Sequence, residues 1–220
     1  MITGDGSSTI HIPEWNEQYH SKHGALQEAK HVFINTGLLP YLENNKSSEV
    51  SILEIGFGTG LNALVTWEAA KSKNISIDYT GVEAYPLEIE EVEKLNFVND
   101  SVDPDMSRFF NEIHVSPWEE KVTITEKFKI SKQKKFFQDI IDQDLYDLIY
   151  FDAFGARVQP ELWSALIFKK MYEALKANGV LVTYAAKGSV RRAMLEVGFK
   201  VERLPGPPGK REMLRATKIV

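Results

Sequence analysis

The sequence contains no cysteine. That excludes a disulfide framework, a thiol nucleophile and any thiolate-held zinc or iron–sulfur centre. It has no run approaching the ~18 consecutive apolar residues of a membrane helix, so no membrane association is expected. The first fifteen residues lack a basic stretch followed by an apolar one, so no secretory signal is read and a cytoplasmic protein is expected. No G-x-x-x-x-G-K-[ST] motif occurs, which argues against a bound nucleoside triphosphate. What remains is 220 residues, 43% apolar and 26% charged, the balance of a globular chain of one folding unit.

The net charge of −5 argues against nonspecific coating of nucleic acid, but it hides an asymmetry. Residues 181–220 carry nine Lys or Arg against three Glu, while residues 1–180 carry seventeen against twenty-eight acids. A basic tail on an acidic body is either a solvated surface or a local phosphate-binding face.

Strands and helices alternate along the chain. Val50–Ile55 is an apolar run that ends in Gly56-Phe57-Gly58-Thr59-Gly60, and helical spacing follows from Leu61. Residues 77–83 read as a second strand closed by Glu83, and Leu87 to Val98 as an acidic helix with Leu87, Val92 and Leu95 inward. Tyr146 to Phe151 reads as a buried strand ending at Asp152. Pro160 opens a helix through residue 176, which Asn178-Gly179 closes before a strand over 180–184. Ser189 caps a helix ended by Gly198. Two last strands, in residues 199–204 and 212–220, flank a Pro/Gly-rich loop with no crossover helix. Ahead of all this, a helix is expected from Ala25 to Glu43, and residues 100–138 are legible only as one strand near Val122–Thr125. The pattern describes an α/β protein with a mostly parallel sheet and an antiparallel hairpin at its C-terminal edge. That combination fits a Rossmann-like methyltransferase architecture (expected over residues 49–220, after an N-terminal extension of residues 1–48) better than a dinucleotide dehydrogenase.

The glycine turn carries the first chemistry. Its spacing, E-x-G-x-G-x-G from Glu54 to Gly60, differs from the G-x-G-x-x-G of dinucleotide binding. Between a buried strand and a helix N-terminus, it sits where open α/β sheets bind ligands. Glu83, 23 residues after Gly60, closes the next strand, where an acid can accept both ribose hydroxyls of an adenosine. Strand, glycine turn, helix, strand and acid together form an S-adenosylmethionine pattern, shared by methyltransferases and aminopropyltransferases. Asp152 closes the adjacent strand, where a carboxylate can hold an amine acceptor and take up charge as it becomes an ammonium. His20 and His23 lack a third ligand at metal spacing, and no metal is expected.

Several segments together resemble the methyltransferase module of the bacterial bifunctional protein that makes 5-methylaminomethyl-2-thiouridine in tRNA. They are Asp5-Gly6-Ser7, Glu17-Gln18-Tyr19-His20-Ser21, Gly24-Ala25 with Glu28 and Val32-Phe33, and Gly56 to Asn62. Asp152-Ala153-Phe154 with Pro160 and Trp163, Val190-Arg191-Arg192, and Lys210 to Leu214 complete the set.

The resemblance implies a class I, S-adenosylmethionine-dependent fold and methyl transfer to the aminomethyl nitrogen at C5 of the wobble uridine 34. It implies that Tyr19 closes over the cofactor, that Glu83 holds the ribose and that Asp152 stands beside the reacting amine. The expected cofactor set is Tyr19, Glu54, Gly56, Gly58, Thr59, Gly60, Asn62, Glu83 and Asp152, and the extension of residues 1–48 is expected to pack over it. The expected substrate set is Phe154, Lys187, Arg191, Arg192, Lys210 and Arg211, whose charges would meet the anticodon stem-loop of tRNA. The family's flavin-dependent oxidase module has no counterpart in the sequence, so a separate oxidase is expected to supply the substrate. The acid that relatives place at the third strand end to hold the adenine is not found, since residues 129–135 are basic. Two alternatives stay open: an aminopropyltransferase of polyamine metabolism, and a noncatalytic RNA-binding subunit of the same fold.

Overall fold

Two apolar layers face opposite sides of one central sheet in the computed structural model, which describes residues 1–13, 15–98 and 102–219. A short hairpin, β1 (His11–Ile12) and β2 (Glu17–Gln18), precedes a continuous helical segment. That segment runs through α1 (Ala25–Ala29), a π-helical stretch (Lys30–Leu38) and α2 (Leu39–Asn45), which meets the expected helix closely. Next come β3 (Glu49–Ile55), α3 (Leu61–Lys73), β4 (Ser76–Glu83), α4 (Ile89–Val92) and α5 (Pro104–Val115). The chain continues through β5 (Lys121–Thr125), β6 (Phe128–Lys134), β7 (Tyr146–Phe151) and α6 (Ala165–Ala174). It ends with β8 (Leu175–Thr183), α7 (Gly188–Glu196), β9 (Phe199–Pro205) and β10 (Glu212–Lys218).

Among the described residues, eight strands form the central sheet in the order β5-β6-β4-β3-β7-β8-β10-β9. The strands from β6 to β8 in that order are parallel, and β5, β10 and β9 are antiparallel to their neighbours. The period of two in β3 explains the layering. Val50 and Ile52 join one core with Phe33, Leu64 and Tyr150, whereas Leu53 and Ile55 join the other with Phe151, Phe168 and Met171. No helix among the described residues is long and apolar enough to cross a membrane.

Several elements differ from the sequence reading. The acidic stretch after Glu83 forms only the single turn α4, capped by Glu88, rather than a helix from Leu87 to Val98, although Val92 is buried and Leu87 and Leu95 pack against the core as expected. The helix expected from Pro160 splits into a 3₁₀ turn (Pro160–Trp163) and α6. Asn178, at φ +62°, shapes a bulge inside β8 rather than closing that helix: Leu175 pairs with Tyr146, but Val180 pairs with Leu148. Lys187, not Ser189, is the N-cap of α7. The last strand stops at Lys218, and Val220 lies outside the described residues. The basic run at 129–135 lies largely within β6. Phe128, Ile130 and Lys132 are all turned inward, and the Lys132 ammonium donates to the His114 carbonyl (2.9 Å) and lies 5.0 Å from the centre of the Trp118 ring. Burial lowers the Lys132 pKa to about 8.

A buried carboxylate ties the extension to the sheet. Asp147 of β7 accepts hydrogen bonds from the Tyr41 hydroxyl (2.9 Å), the Ser51 amide and hydroxyl (2.8 and 2.7 Å) and Lys176 Nζ (3.0 Å). Burial alone would raise this carboxyl, but the Ser51, Lys176 and Tyr41 donors outweigh it and hold the pKa below its ordinary value. Asp147→Ala should lower unfolding stability in urea by about 1–3 kcal/mol, because the Ser51 amide and Tyr41 hydroxyl lose their partner. With the folded value below the unfolded one, this contribution is full above the ordinary carboxylate pKa. It is lost as pH falls through the depressed folded value, so the parent–variant gap should close in acid.

Candidate active site

The strand order reverses between β3 and β7, and such a reversal leaves a crevice at the carboxyl ends of the strands. A cavity of about 770 Å³ opens there. Its walls come from the turn after β3, the end of β4, the loop after β7 and Tyr184 beyond β8. The β1–β2 hairpin, α1 and Lys210 of the β9–β10 turn cover it.

The glycine turn fits the crevice because Gly56 and Gly58 lack side chains. Gly56 and Gly58 hold φ of +89° and +46°, and a Cβ on Gly56 would lie 2.8 Å from the Asp152 carbonyl oxygen. A Cβ on Gly58 would lie 3.0 Å from the Tyr19 ring. The amides of Gly56 and Phe57 donate to the Val82 carbonyl (3.0 and 3.1 Å), fixing the turn to β4. Glu83 is oriented by backbone alone: the Gly58 amide reaches Oε2 at 3.1 Å and the Tyr85 amide reaches Oε1 at 3.0 Å. Each oxygen keeps lone pairs for a ligand hydroxyl. Burial raises the Glu83 pKa, and these backbone donors oppose the rise.

Asp152 stands across the crevice. Asn62 Nδ2, in the first turn of α3, donates to Asp152 Oδ2 (2.8 Å) and to Glu54 Oε1 (2.8 Å). Glu54 is fully buried, takes a second hydrogen bond from the Tyr79 hydroxyl (2.9 Å), and is pushed well up in pKa by that burial. Burial also pushes Asp152 up, to about 7; the charge of Glu28 adds to the rise, while Asn62 and Lys210 oppose it. The Lys210 ammonium pairs with Glu28 and sits 3.8 Å from the centre of the Tyr184 ring. Tyr184 in turn donates to the Ala153 carbonyl (2.8 Å).

Aromatic rings form the remaining wall. Phe154 meets Tyr19 and Trp15 edge-on at 5.1 and 5.4 Å between centroids, and Trp163 Nε1 donates to its carbonyl (2.8 Å). A Glu17–Arg157 ion pair (3.0 Å) fastens the hairpin to the loop after Asp152. His20 Nε2 lies 3.0 Å from the Thr59 hydroxyl and Nδ1 lies 3.3 Å from that of Thr9, and burial lowers its pKa to about 4.

Of the residues singled out from sequence, Tyr19, Gly56, Gly58, Thr59, Asn62, Glu83, Asp152, Phe154 and Lys210 line this cavity. Gly60 and Glu54 do not: Gly60 is the N-cap of α3, and Glu54 lies behind Asn62. Lys187, Arg191, Arg192 and Arg211 stand outside the cavity, with Lys187, Arg192 and Arg211 exposed. Sequence reasoning gave no role to Glu28, Tyr184, Trp15 or Gln138, which also line it. Glu28 and Lys210 are 182 positions apart, so no local pattern announces their pairing. The cradle of Gly56 and Gly58, the backbone-held Glu83 and the enclosing Tyr19 suit an adenosine-bearing sulfonium cofactor.

The comparisons agree with that fit. Residues 110–219 match the model of a family described as S-adenosyl-L-methionine-dependent methyltransferase. The chain belongs to this family. Curated relatives carry the name tRNA 5-methylaminomethyl-2-thiouridine biosynthesis bifunctional protein MnmC. The Cupriavidus metallidurans protein is 28% identical over 97% of this chain and 33% of its own length. The Burkholderia thailandensis protein is 30% identical over 94% of this chain and 33% of its own. The chain thus spans about a third of the length of the curated relatives it matches. Among solved structures, MnmC2 from Aquifex aeolicus superposes with a TM-score of 0.81 at 22% identity, covering 99% of this chain and 69% of that one. A spermidine synthase from Thermotoga maritima gives 0.54 at 14% identity, covering 96% of this chain and 68% of that one. Both show the fold, which by itself does not separate methyl from aminopropyl transfer.

The protein is therefore an S-adenosyl-L-methionine-dependent methyltransferase, and Glu83 is the side chain whose loss tests the cofactor geometry. Glu83→Ala should weaken binding of S-adenosyl-L-methionine by about 1–3 kcal/mol in calorimetry, the range for hydrogen bonds to a charged group. Affinity equal to the parent's would leave Glu83 with no part in holding the cofactor.

Proposed function

We propose that this protein methylates the aminomethyl nitrogen at C5 of the wobble uridine 34 in the tRNA anticodon stem-loop, converting 5-aminomethyl-2-thiouridine to 5-methylaminomethyl-2-thiouridine. The observation that carries the reading is Asp152, a carboxylate in the crevice against the glycine turn, with one oxygen held by Asn62. The names of the relatives point to the same chemistry.

The cofactor supplies a methyl group on a positively charged sulfur. In this reading Tyr19 and the extension of residues 1–48 cover it, the glycine turn admits it closely, and Glu83 holds its ribose. Phe154 and Trp15 exclude water from the acceptor side. Asp152 accepts a hydrogen bond from the amine, aims its lone pair at the methyl carbon and stabilises the ammonium as the nitrogen–carbon bond forms. With a pKa raised to about 7 in the unliganded site, the same carboxylate is matched to a proton transfer near neutrality. A chain without cysteine has no thiol to carry the methyl, so a direct single displacement is expected. An anticodon base is unpaired and can be splayed into the pocket cheaply. Lys187, Arg191, Arg192 and Arg211 then meet the phosphates outside it, while Lys210 organises the pocket through Glu28. The reaction belongs in the cytoplasm, downstream of an oxidation that uncovers the amine.

Asp152→Asn keeps the shape and removes the charge. Single-turnover methylation of tRNA bearing 5-aminomethyl-2-thiouridine should slow on the order of 10²-fold, with cofactor binding retained. The parent rate should rise with pH through the ionisation of Asp152, and a variant within a few-fold of the parent would remove Asp152 from the chemistry. Reversing Arg191, Arg192 and Arg211 to Glu should raise KM for tRNA and flatten the salt dependence of binding, with cofactor affinity unchanged. Unaltered tRNA kinetics would return the three to plain surface charge.

A further inference from the structure

Glu54 is a fully buried acid outside the cavity, and neither the cofactor cradle nor the acceptor chemistry gives it a task. Its two oxygens take the Tyr79 hydroxyl and Asn62 Nδ2. An asparagine amide carries two hydrogens on one nitrogen, and here both go to carboxyl oxygens, one of Glu54 and one of Asp152. Asn62 cannot turn toward a ligand without leaving Glu54 Oε1 unsatisfied in a dry environment, which costs far more than an exposed hydrogen bond returns. The amide is therefore locked from behind. Its second hydrogen fixes Asp152 Oδ2, and among the described residues no donor reaches Oδ1.

We propose that Glu54, backed by Tyr79, is a positioning residue for the reaction. Through Asn62 it holds Asp152 in one rotamer, with Oδ2 committed and Oδ1 presented to the methyl acceptor. The proposal rests on the role of Asp152 given above. It moves Glu54 and Asn62 from holding the cofactor to aiming the acid. Glu54 belongs to β3 and Asp152 follows β7, adjacent parallel strands, while Asn62 stands at the start of the helix that the glycine turn launches between them. The glycine turn thus has a second consequence: it sets the one amide that can bridge both acids.

The other charged or titratable groups around Asp152 come from every neighbouring element. They are Glu28 of α1, Glu54 of β3, Tyr79 of β4, Tyr184 after β8 and Lys210 of the β9–β10 turn, each interacting electrostatically with Asp152, with Glu17 of the hairpin and Glu83 of β4 lining the same cavity. Of these, Lys210 favours the ionised acid and Glu28 opposes it. Removing Asn62 leaves both in place, whereas removing Glu54 also takes away a group that interacts electrostatically with Asp152, so the titration of Asp152 in Asn62→Ala is the one that reports the bridge.

The test compares Glu54→Leu, Glu54→Gln and Asn62→Ala with the parent. Asn62→Ala removes a small polar side chain at the cavity wall and keeps the proposal testable should Glu54→Leu fail to fold. In Asn62→Ala and Glu54→Leu the rate of methyl transfer should drop on the order of tenfold to a hundredfold, the scale of a misaligned reacting group. In Asn62→Ala the acidic limb of the pH–rate profile should move to higher pH, since a donor to the ionised carboxylate is lost. A carboxyl NMR titration of Asn62→Ala against the parent, both without ligand, should show the same upward move for Asp152, independent of turnover. Glu54→Gln, which still accepts from Asn62, should recover most of the rate lost in Glu54→Leu. Calorimetric affinity for S-adenosyl-L-methionine should stay within a few-fold throughout. If Asn62→Ala and Glu54→Leu weaken cofactor binding while the pH limb and the Asp152 titration stay put, both residues belong to the cofactor site and the proposal falls. A parent protein inactive on the tRNA substrate would sink the acceptor reading instead; an unmoved NMR titration would then still overturn the bridge.

Discussion

The site depends on how closely two backbones approach where the sheet reverses. Gly56 leaves β3 and the chain at Asp152 leaves β7 so near each other that a methyl group on Gly56 would collide with the Asp152 carbonyl. That approach brings the glycine turn and Asp152, proposed above to hold the nucleoside and the acceptor, within one crevice. It also lets α3 start where Asn62 reaches both Glu54 and Asp152. Any side chain at position 56 would have to push the two halves of the site apart, and the strained φ of +89° would add its own cost.

Charge is sorted by depth around that crevice. Glu17, Glu28, Glu83, Asp152 and Glu161 line the cavity against two lysines, Lys22 and the Lys210 held by Glu28. Lys187, Arg191, Arg192 and Arg211 lie outside, on or beside elements that leave the same edge of the sheet. An acidic interior favours a cationic or amine-bearing group, and a basic exterior favours phosphate. One substrate with an amine on a base and phosphates along its backbone meets both demands. The overall acidity of the chain and its basic C-terminal fifth are the sequence-level trace of this division.

The parts of the site built on local chemistry were legible in the sequence. A buried strand, a glycine turn and a helix start form one continuous segment, and the acids at positions 83 and 152 stand at strand ends that hydrophobic runs mark clearly. The parts built by distant pairing were not. Lys132 occupies an inward position of β6, so the period of two that marks a strand was hidden by a lysine. The helix α5 did carry a local signal, Asp103 as N-cap followed by Pro104, and Asp103 indeed accepts from the Met106 amide at 3.0 Å. The surrounding polar residues masked it. The two-residue strands of the β1–β2 hairpin are fixed by what they pack on, the Tyr19–Phe154–Trp15 corner, and not by any propensity of their own.

The buried chain from Tyr79 to Asp152 explains why an acid can be tolerated at position 54 of a strand buried on both faces. A carboxyl group without donors would be expensive there, and replacing it with an apolar residue would ordinarily stabilise such a strand. Here Tyr79 and Asn62 satisfy both oxygens, so the cost is reduced, and what the arrangement returns is direction: an amide locked at one end points its free hydrogen at Asp152. Rigid elements supply every member of the chain, two adjacent strands and the first turn of a helix, whereas Asp152 itself stands on a loop. Precision at a loop residue has to be borrowed from the scaffold, and a hydrogen bond from a locked amide is the shortest route by which this fold can lend it.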